Sequence, residues 1–236
     1  MTALVPSTDI FYPSSDGEPV AETFDHLYAI LTTLEVLRQY LPQFLGERQA
    51  TVLANQFLYY AQNMPRLRTA PDVMVIFDVA PGGRDNYKIW DEGQVPVVIF
   101  EMTSKGTQDH DQSFKRTLYE QLGVREYWQF DPHGEWIPER LRGYRLHGEL
   151  YEPITDSQSQ PLGLRLEIEG KLIGFYRLDN GEKLLIPDEL ATALHQETIA
   201  RQQAEALAEQ ERQRVAELEA QLARYQAQFG DLPELS

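Results

Sequence analysis

Two apolar runs near the middle of the chain decide its fold: Pro71-Asp72-Val73-Met74-Val75-Ile76-Phe77 and Val95-Pro96-Val97-Val98-Ile99-Phe100-Glu101. Each run is short and continuous, which is typical of a strand that is buried on both faces. The first run begins directly after Asp72, and the second ends on Glu101. If the two strands are neighbours, the two carboxylates meet at one edge of the sheet.

The segment that follows the second run predicts a helix over residues 108–122. Asp111, Lys115 and Tyr119 are spaced four residues apart in it, so they share one helix face. Gly123 is a glycine C-cap, and residues 125–130 predict the next strand. Lys115 thus lies on the first predicted helix after Glu101.

Two acids at strand edges and a lysine on the next helix are typical of a magnesium and phosphate site. Mg²⁺ binds through one or two carboxylates and keeps several waters. A nearby lysine orients the attacking water or neutralises the transition state. We predict that Asp72 and Glu101 bind Mg²⁺, with Mn²⁺ as an alternative, and that Lys115 is catalytic. A simple acid-x-lysine pattern would place the lysine at position 103, which is Thr103.

Each of these residues also has an ordinary interpretation when it is taken alone. Asp72 is then a turn residue after a proline, Glu101 is a surface charge at a strand end, and Lys115 is a solvated helix lysine. The site hypothesis depends on the three occurring together in this order.

The segments around this stretch predict further elements. Residues 23–41 predict an amphipathic helix with Thr23 as its N-cap and Pro42 at its end. Residues 54–61 have the aromatic content of a strand. Short strands follow within residues 144–178, and Asn180-Gly181 predicts a hairpin turn. The apolar stripe of the first helix consists of Phe24, Leu27, Leu31, Leu34, Leu37 and Leu41.

The C-terminal segment, residues 188–228, contains no helix breaker and is rich in good helix formers. It predicts a long helix that forms a weak coiled coil and joins two copies of the chain as a homodimer. Glu211 and two alanines weaken its heptad seam. The seam consists of Ala204, Ala208, Glu211, Val215, Leu218, Leu222 and Tyr225.

The composition restricts the class of protein. The 236 residues have an ordinary hydrophobic fraction of 42%, no apolar run of membrane-spanning length and no cysteine. Thiolate metal sites and cysteine nucleophiles are excluded, and we expect a cytoplasmic protein with no membrane segment and no secretory signal. The net charge of −16 opposes non-specific electrostatic binding to nucleic acid, although an acidic tail can coexist with a locally basic cleft.

The ordered set of motifs resembles the Uma-two-type family of restriction endonucleases in the PD-(D/E)XK nuclease superfamily. The resemblance extends over residues 10–190. It rests on residues 71–72, 101–104, 111–119 and 123–128, with support from residues 12–22 and 184–190. It implies a restriction-endonuclease-like α/β core, with a central mixed sheet flanked by helices, added β-hairpins and the long C-terminal helix. The domains would be residues 1–187 and 188–236.

The resemblance also implies the site and the substrate. Asp72 and Glu101 would hold the metal, the displaced lysine would be Lys115, and an upstream glutamate, Glu22, would join the catalytic set. The predicted function is a magnesium-dependent endonuclease that hydrolyses the phosphodiester bonds of DNA. Thr103 departs from the superfamily pattern, so the alternative is a catalytically idle module that associates through its C-terminal helix. A third possible function is a phosphohydrolase that acts on small molecules or nucleotides and uses the same metal.

Overall fold

The computed structural model describes residues 10–17, 23–103 and 109–230. Its chain divides into two compact units, Met1–Ile186 and Pro187–Ser236. The first unit contains helices α1 (Phe24–Leu45), α2 (Ile89–Glu92) and α3 (Asp109–Leu122) and all the strands of the described chain. The second contains α4 (Pro187–Phe229).

A six-stranded mixed sheet is the centre of the first unit. Its strands are β1 (Ala50–Ala54), β4 (Val73–Phe77), β6 (Val98–Met102), β7 (Glu126–Phe130), β8 (Leu141–His147) and β9 (Leu150–Ile154), in the order β1-β4-β6-β7-β8-β9. The β6–β7 pair is parallel, and the other pairs are antiparallel. Strands β4, β6 and β7 are buried along their whole length, and for β4 and β6 the continuous apolar runs predict this burial. The predicted mixed central sheet is confirmed.

Two smaller sheets accompany the central one. A three-stranded sheet contains β2 (Leu58–Tyr59), β3 (Arg68–Thr69) and β5 (Tyr87–Lys88). A four-stranded sheet contains β10 (Gln158–Ser159), β11 (Leu164–Glu169), β12 (Leu172–Arg177) and β13 (Lys183–Leu184). The predicted Asn180-Gly181 turn joins β12 to β13, and Gly181 has the positive φ of 74° that such a turn requires.

Two apolar clusters pack on the opposite faces of the central sheet. Helix α1 and strands β11 and β12 cover one face, where Leu37 contributes to the same cluster as Val75 and Phe175. Helix α3 and strands β2 and β5 cover the other face, where Tyr119 packs with Ile99 and Tyr127. The central sheet is therefore flanked by helices on both faces, in agreement with the predicted fold class.

Helix α1 begins as predicted, with Thr23 accepting a hydrogen bond from the His26 amide, but it ends later than predicted. Pro42 lies inside the helix, which continues to Leu45. Proline removes one backbone hydrogen bond and normally disfavours a helix interior. Leu41 and Leu45, on either side of Pro42 in the sequence, pack against the core and hold the last turn in place.

The apolar stripe predicted for α1 is only partly the buried face. Leu37 and Leu41 are buried, whereas Phe24 is 74% exposed and Leu27 and Leu31 are also exposed. The buried face is rotated from the predicted stripe and consists of His26, Ala29, Ile30, Thr32, Thr33, Val36, Leu37, Tyr40 and Leu41.

The strand predicted over residues 54–61 is wrong. The chain forms β1 earlier, and Asn55 ends this strand with a left-handed φ of 49°. Asparagine tolerates this conformation better than most residues do. Of the predicted strand after Asn55, only the two residues of β2 pair in a sheet.

Helix α4 runs for 43 residues, which confirms the predicted long helix. Its side chains from residue 191 to residue 228 are exposed, including Val215, Leu218, Leu222 and Tyr225 of the heptad seam. Pairing with a second copy as a coiled coil stays a prediction.

Candidate active site

The pairing of β4 with β6 brings Asp72 and Glu101 to the same end of the central sheet. Val73 pairs with Phe100 in the antiparallel register. Asp72 directly precedes Val73 and Glu101 directly follows Phe100, so the two acids occupy the next opposed positions. The Met102 amide donates a 2.6 Å hydrogen bond to Asp72 Oδ2, which fixes the Asp72 carboxylate beside the end of β6.

Glu101 is buried, and helix α3 supplies a partner to each of its carboxylate oxygens. Lys115 Nζ donates to Oε2 over 2.9 Å, and the Tyr119 hydroxyl donates to Oε1 over 2.7 Å. The two donors are four residues apart, so one face of the helix presents both of them. The structure therefore brings Asp72, Glu101 and Lys115 together and adds Tyr119 as a partner of Glu101.

Tyr119 is held as a neutral phenol. Burial raises the pKa of Tyr119 well above its usual range, and the adjacent Glu101 carboxylate raises it further. Its oxygen also lies 3.4 Å from Thr69 Oγ1 of β3. Tyr119 thus serves as a permanent donor to Glu101 and links the acidic pair to the three-stranded sheet.

A row of polar residues continues from Glu101 across the sheet. Glu101 is in register with Gln129 of β7, and Gln129 is in register with Arg142 of β8. Arg142 Nε donates to Gln129 Oε1 over 2.9 Å, and Gln129 Nε2 donates to the Tyr127 hydroxyl over 3.1 Å.

Burial raises the pKa of Tyr127 well above its usual range, and the negative charges of Glu101 and Asp72 add to this effect. The two acids, Tyr127 and the polar row therefore belong to one electrostatic environment.

Three residues near the acidic pair were not predicted from the sequence: Thr69, Gln129 and Arg142. For Gln129 a signal existed, because it is the one uncharged polar residue in the buried strand Glu126–Phe130. For Arg142 and Thr69 there was no such signal, since their positions depend on the pairing of distant segments.

The donor set fits a hard divalent cation of the magnesium type. Asp72 and Glu101 offer carboxylate oxygens at one sheet end, and Mg²⁺ is commonly held by one or two carboxylates while keeping waters. Two like charges at adjacent strand positions repel each other, and a cation between them offsets that cost. Within the described residues there is no group of three or more His, Asp or Glu side chains with metal-site geometry, so other protein ligands of this kind are not in place there.

The other residues considered for the site lie outside the described residues or have a structural contact. Glu22 lies outside the described residues, and so does the side chain of Asp111. Thr103, in the slot where the superfamily has lysine, is buried, and its amide donates to the Phe130 carbonyl over 2.7 Å. In the described part of the chain, no helix is both long and apolar enough to cross a membrane.

Comparisons with known proteins identify the family to which the sequence belongs. Among curated proteins, none matches the sequence. One similar solved structure is that of "a putative nuclease belonging to DUF820" from Anabaena variabilis, with 14% identity and a TM-score of 0.43. The match covers 60% of this chain and 72% of that one. At this level of similarity, the neighbour supports no conclusion about the site.

A family model supplies the decisive match. The model of the family Uma2, described as "Putative restriction endonuclease", matches residues 5–173, which is well over half of the 236 residues. This description supports a nuclease, a hydrolase that acts on nucleic acids. The match includes Asp72, Glu101 and Lys115. The chain belongs to the Uma2 family.

Proposed function

We propose that the protein is a magnesium-dependent DNA endonuclease whose catalytic groups are Asp72, Glu101 and Lys115. The observation that carries the proposal is the convergence of two acids from neighbouring strands and a lysine from α3 at one end of the sheet. Family membership supports the same class of chemistry. Glu22 is proposed as an additional member of the set because of its position in the family pattern.

Each residue has a definite role under this proposal. Asp72 and Glu101 would hold Mg²⁺, or Mn²⁺ in its place. When bound there, the cation supplies positive charge to the phosphoryl oxygens and makes the attacking water more acidic. Lys115 stands close enough to Glu101 to orient that water or to neutralise charge that develops on the phosphate. Tyr119 keeps the Glu101 carboxylate in a fixed orientation.

A nicking assay on supercoiled plasmid tests the proposal. We expect conversion to open-circular and linear DNA with Mg²⁺ or Mn²⁺ and none with EDTA. Asp72→Asn and Glu101→Gln keep the side-chain shapes but remove the charges, and each should lower the rate about a hundredfold or more. The exposed Glu152→Gln is the matched control and should cut like the wild type. Equal cutting by all four proteins would refute the assigned site.

A second role for the chain is favoured by a separate observation, the exposed apolar residues of α4. We propose that α4 joins two copies of the chain in a coiled coil, because its seam alternates spacings of three and four residues. If the purified protein associates through α4 but does not cut DNA with either metal, a catalytically idle interaction module explains the chain better than a nuclease.

A further inference from the structure

We propose that Arg116 and Arg142 form an arginine pair that binds the phosphate backbone of duplex DNA next to the scissile phosphate. This inference rests on the proposed nuclease function, whose substrate the arginine pair would position. It assigns a binding role to two residues that the acidic pair and Lys115 leave without one.

The strand register places Arg142 beside the acidic pair. Glu101, Gln129 and Arg142 occupy matched positions on β6, β7 and β8. Two strand spacings separate the backbone positions of Glu101 and Arg142, which is about 10 Å. Residues in register point to the same face of a sheet, so Arg142 lies on the face where α3 packs. A DNA strand whose scissile phosphate reaches Glu101 therefore has a neighbouring phosphate within reach of Arg142.

The Arg142 side chain is held in place with most of its donors unused. Its Nε donates to Gln129 Oε1, and Glu139 Oε1 lies 3.8 Å from the same nitrogen. Within the described chain, its two terminal amino groups make no hydrogen bond, and 32% of the side chain is exposed. A guanidinium has five N–H donors, four of them on these terminal groups. The side chain is thus oriented by the protein while its outer edge faces solvent.

Arg116 approaches the same place from helix α3. Its guanidinium carbon lies 4.3 Å from the centre of the Tyr144 ring, and that of Arg142 lies 5.9 Å from the same ring centre. Tyr144 is buried and therefore provides a fixed surface for both cations. The two guanidinium groups lie near one ring and repel each other, and an anion that contacts both of them would offset this repulsion.

The chemistry of the pair fits an oxyanion, and phosphate is the oxyanion that a DNA substrate supplies. Planar guanidinium groups bind phosphate oxygens through two parallel hydrogen bonds. The whole chain carries a net charge of −16, so general attraction to DNA is weak and local cations must supply it. Lys115, the residue before Arg116 on α3, donates to Glu101, so the helix brings one cation to the acidic pair and another to Tyr144.

The test measures binding of the full-length protein to a fluorescein-labelled DNA duplex by fluorescence anisotropy, in EDTA and in Ca²⁺. Arg142→Gln and Arg116→Gln should each raise Kd about tenfold, and Arg142→Lys should recover part of the loss. Each glutamine substitution should also reduce the slope of log K against log salt by about 0.9, the value for one lost phosphate contact. The salt slope separates a phosphate contact from a merely structural role.

Arg125→Gln is the matched control, since Arg125 is an exposed arginine that precedes β7 at the opposite end of the sheet from Gln129. It should bind with unchanged Kd, and thermal unfolding should show that every variant is folded at the temperature of the binding assay. Wild-type binding and salt slope in both glutamine variants would overturn the inference, and so would a wild-type protein that binds no duplex in either buffer.

Cleavage in Mg²⁺ separates this inference from the proposed function. If the glutamine variants lose binding while even the wild type fails to cut, the arginine pair stands and the nuclease proposal fails. If the wild type cuts and both variants bind and cut equally well, the arginine pair fails and the nuclease proposal stands.

Discussion

Lys115 Nζ lies 2.9 Å from Glu101 Oε2, and this contact joins helix α3 to the strand end where the acidic pair sits. Both side chains are largely shielded from solvent, so the attraction between them is stronger than that of a surface ion pair. Under the proposed function, Lys115 would take the role that an acid-x-lysine motif would give to residue 103. The contact motivates the first prediction.

Replacing Lys115 by methionine should lower the rate constant of DNA cleavage about a hundredfold. The substitution removes the positive charge near the reacting phosphate but keeps the bulk of the side chain. Single-turnover cleavage at saturating protein measures the effect. Lys171→Met is the control, since Lys171 lies in the turn between β11 and β12 and pairs with Asp25 of α1 rather than with Glu101. Undiminished cleavage by Lys115→Met would remove Lys115 from the catalytic set.

Replacing Tyr119 by phenylalanine should lower both stability and activity. The variant loses a hydrogen bond to a charged group, Glu101, which contributes about 1.5–3 kcal/mol to the free energy of unfolding. Cleavage should fall about tenfold because the Glu101 carboxylate is no longer fixed. Urea unfolding and the nicking assay measure the two effects.

Tyr151→Phe is the matched control for that substitution. Tyr151 is also buried in the same apolar cluster, but its hydroxyl donates to the Val124 carbonyl over 2.9 Å rather than to Glu101. It should lose about 1 kcal/mol of stability and keep its cleavage rate. Equal rates in both variants would show that Tyr119 has only a structural role.

The pH dependence of stability should reflect Asp131, a buried acid in the turn after β7. Burial tends to raise the pKa of Asp131, but hydrogen bonds from the amides of Ile137, Trp136, Gly134 and His133 outweigh this effect and hold the pKa below its usual value. A group with a lowered folded-state pKa stabilises the protein above its unfolded-state value, about 3.9 for aspartate. This contribution is lost as the pH falls through the lower folded-state pKa.

Asp131→Asn should therefore lower the unfolding temperature at pH 7, and the gap to the wild type should narrow as the pH is lowered towards about 3. An amide cannot accept all four hydrogen bonds, so we expect a loss of about 1–3 kcal/mol at pH 7. Asp156→Asn is the control, because within the described chain the exposed Asp156 accepts one backbone hydrogen bond, from the Gln158 amide. A gap that is constant from pH 7 to pH 3 would contradict this explanation.

The heptad seam of α4 should determine the oligomeric state. The double substitution Leu218→Ser and Leu222→Ser removes two adjacent seam side chains and should convert a dimer to a monomer in sedimentation equilibrium. Leu207→Ser is the control, because Leu207 is equally exposed but lies off the seam. If the double variant sediments like the wild type, the seam does not join two copies.

Much of the candidate site could be predicted because it depends on local pattern. The continuous apolar runs identified β4 and β6 and so marked Asp72 and Glu101 as residues at strand ends. The four-residue spacing and Gly123 identified α3 and marked Lys115. Local pattern failed where packing overrode it, as at Pro42, which lies inside α1.

The sequence by itself determined which elements form and which chemical groups lie at their ends, because hydrophobic periodicity, caps and turns act over a few residues. Only the tertiary structure decided that Gln129 stands beside Glu101, that Arg142 stands beside Gln129 and that Thr69 contacts Tyr119. These neighbours come from strand pairing and helix packing between segments that are 28, 13 and 50 residues apart. Register between distant strands is set by the fit of whole buried faces, and no short stretch of sequence contains that information.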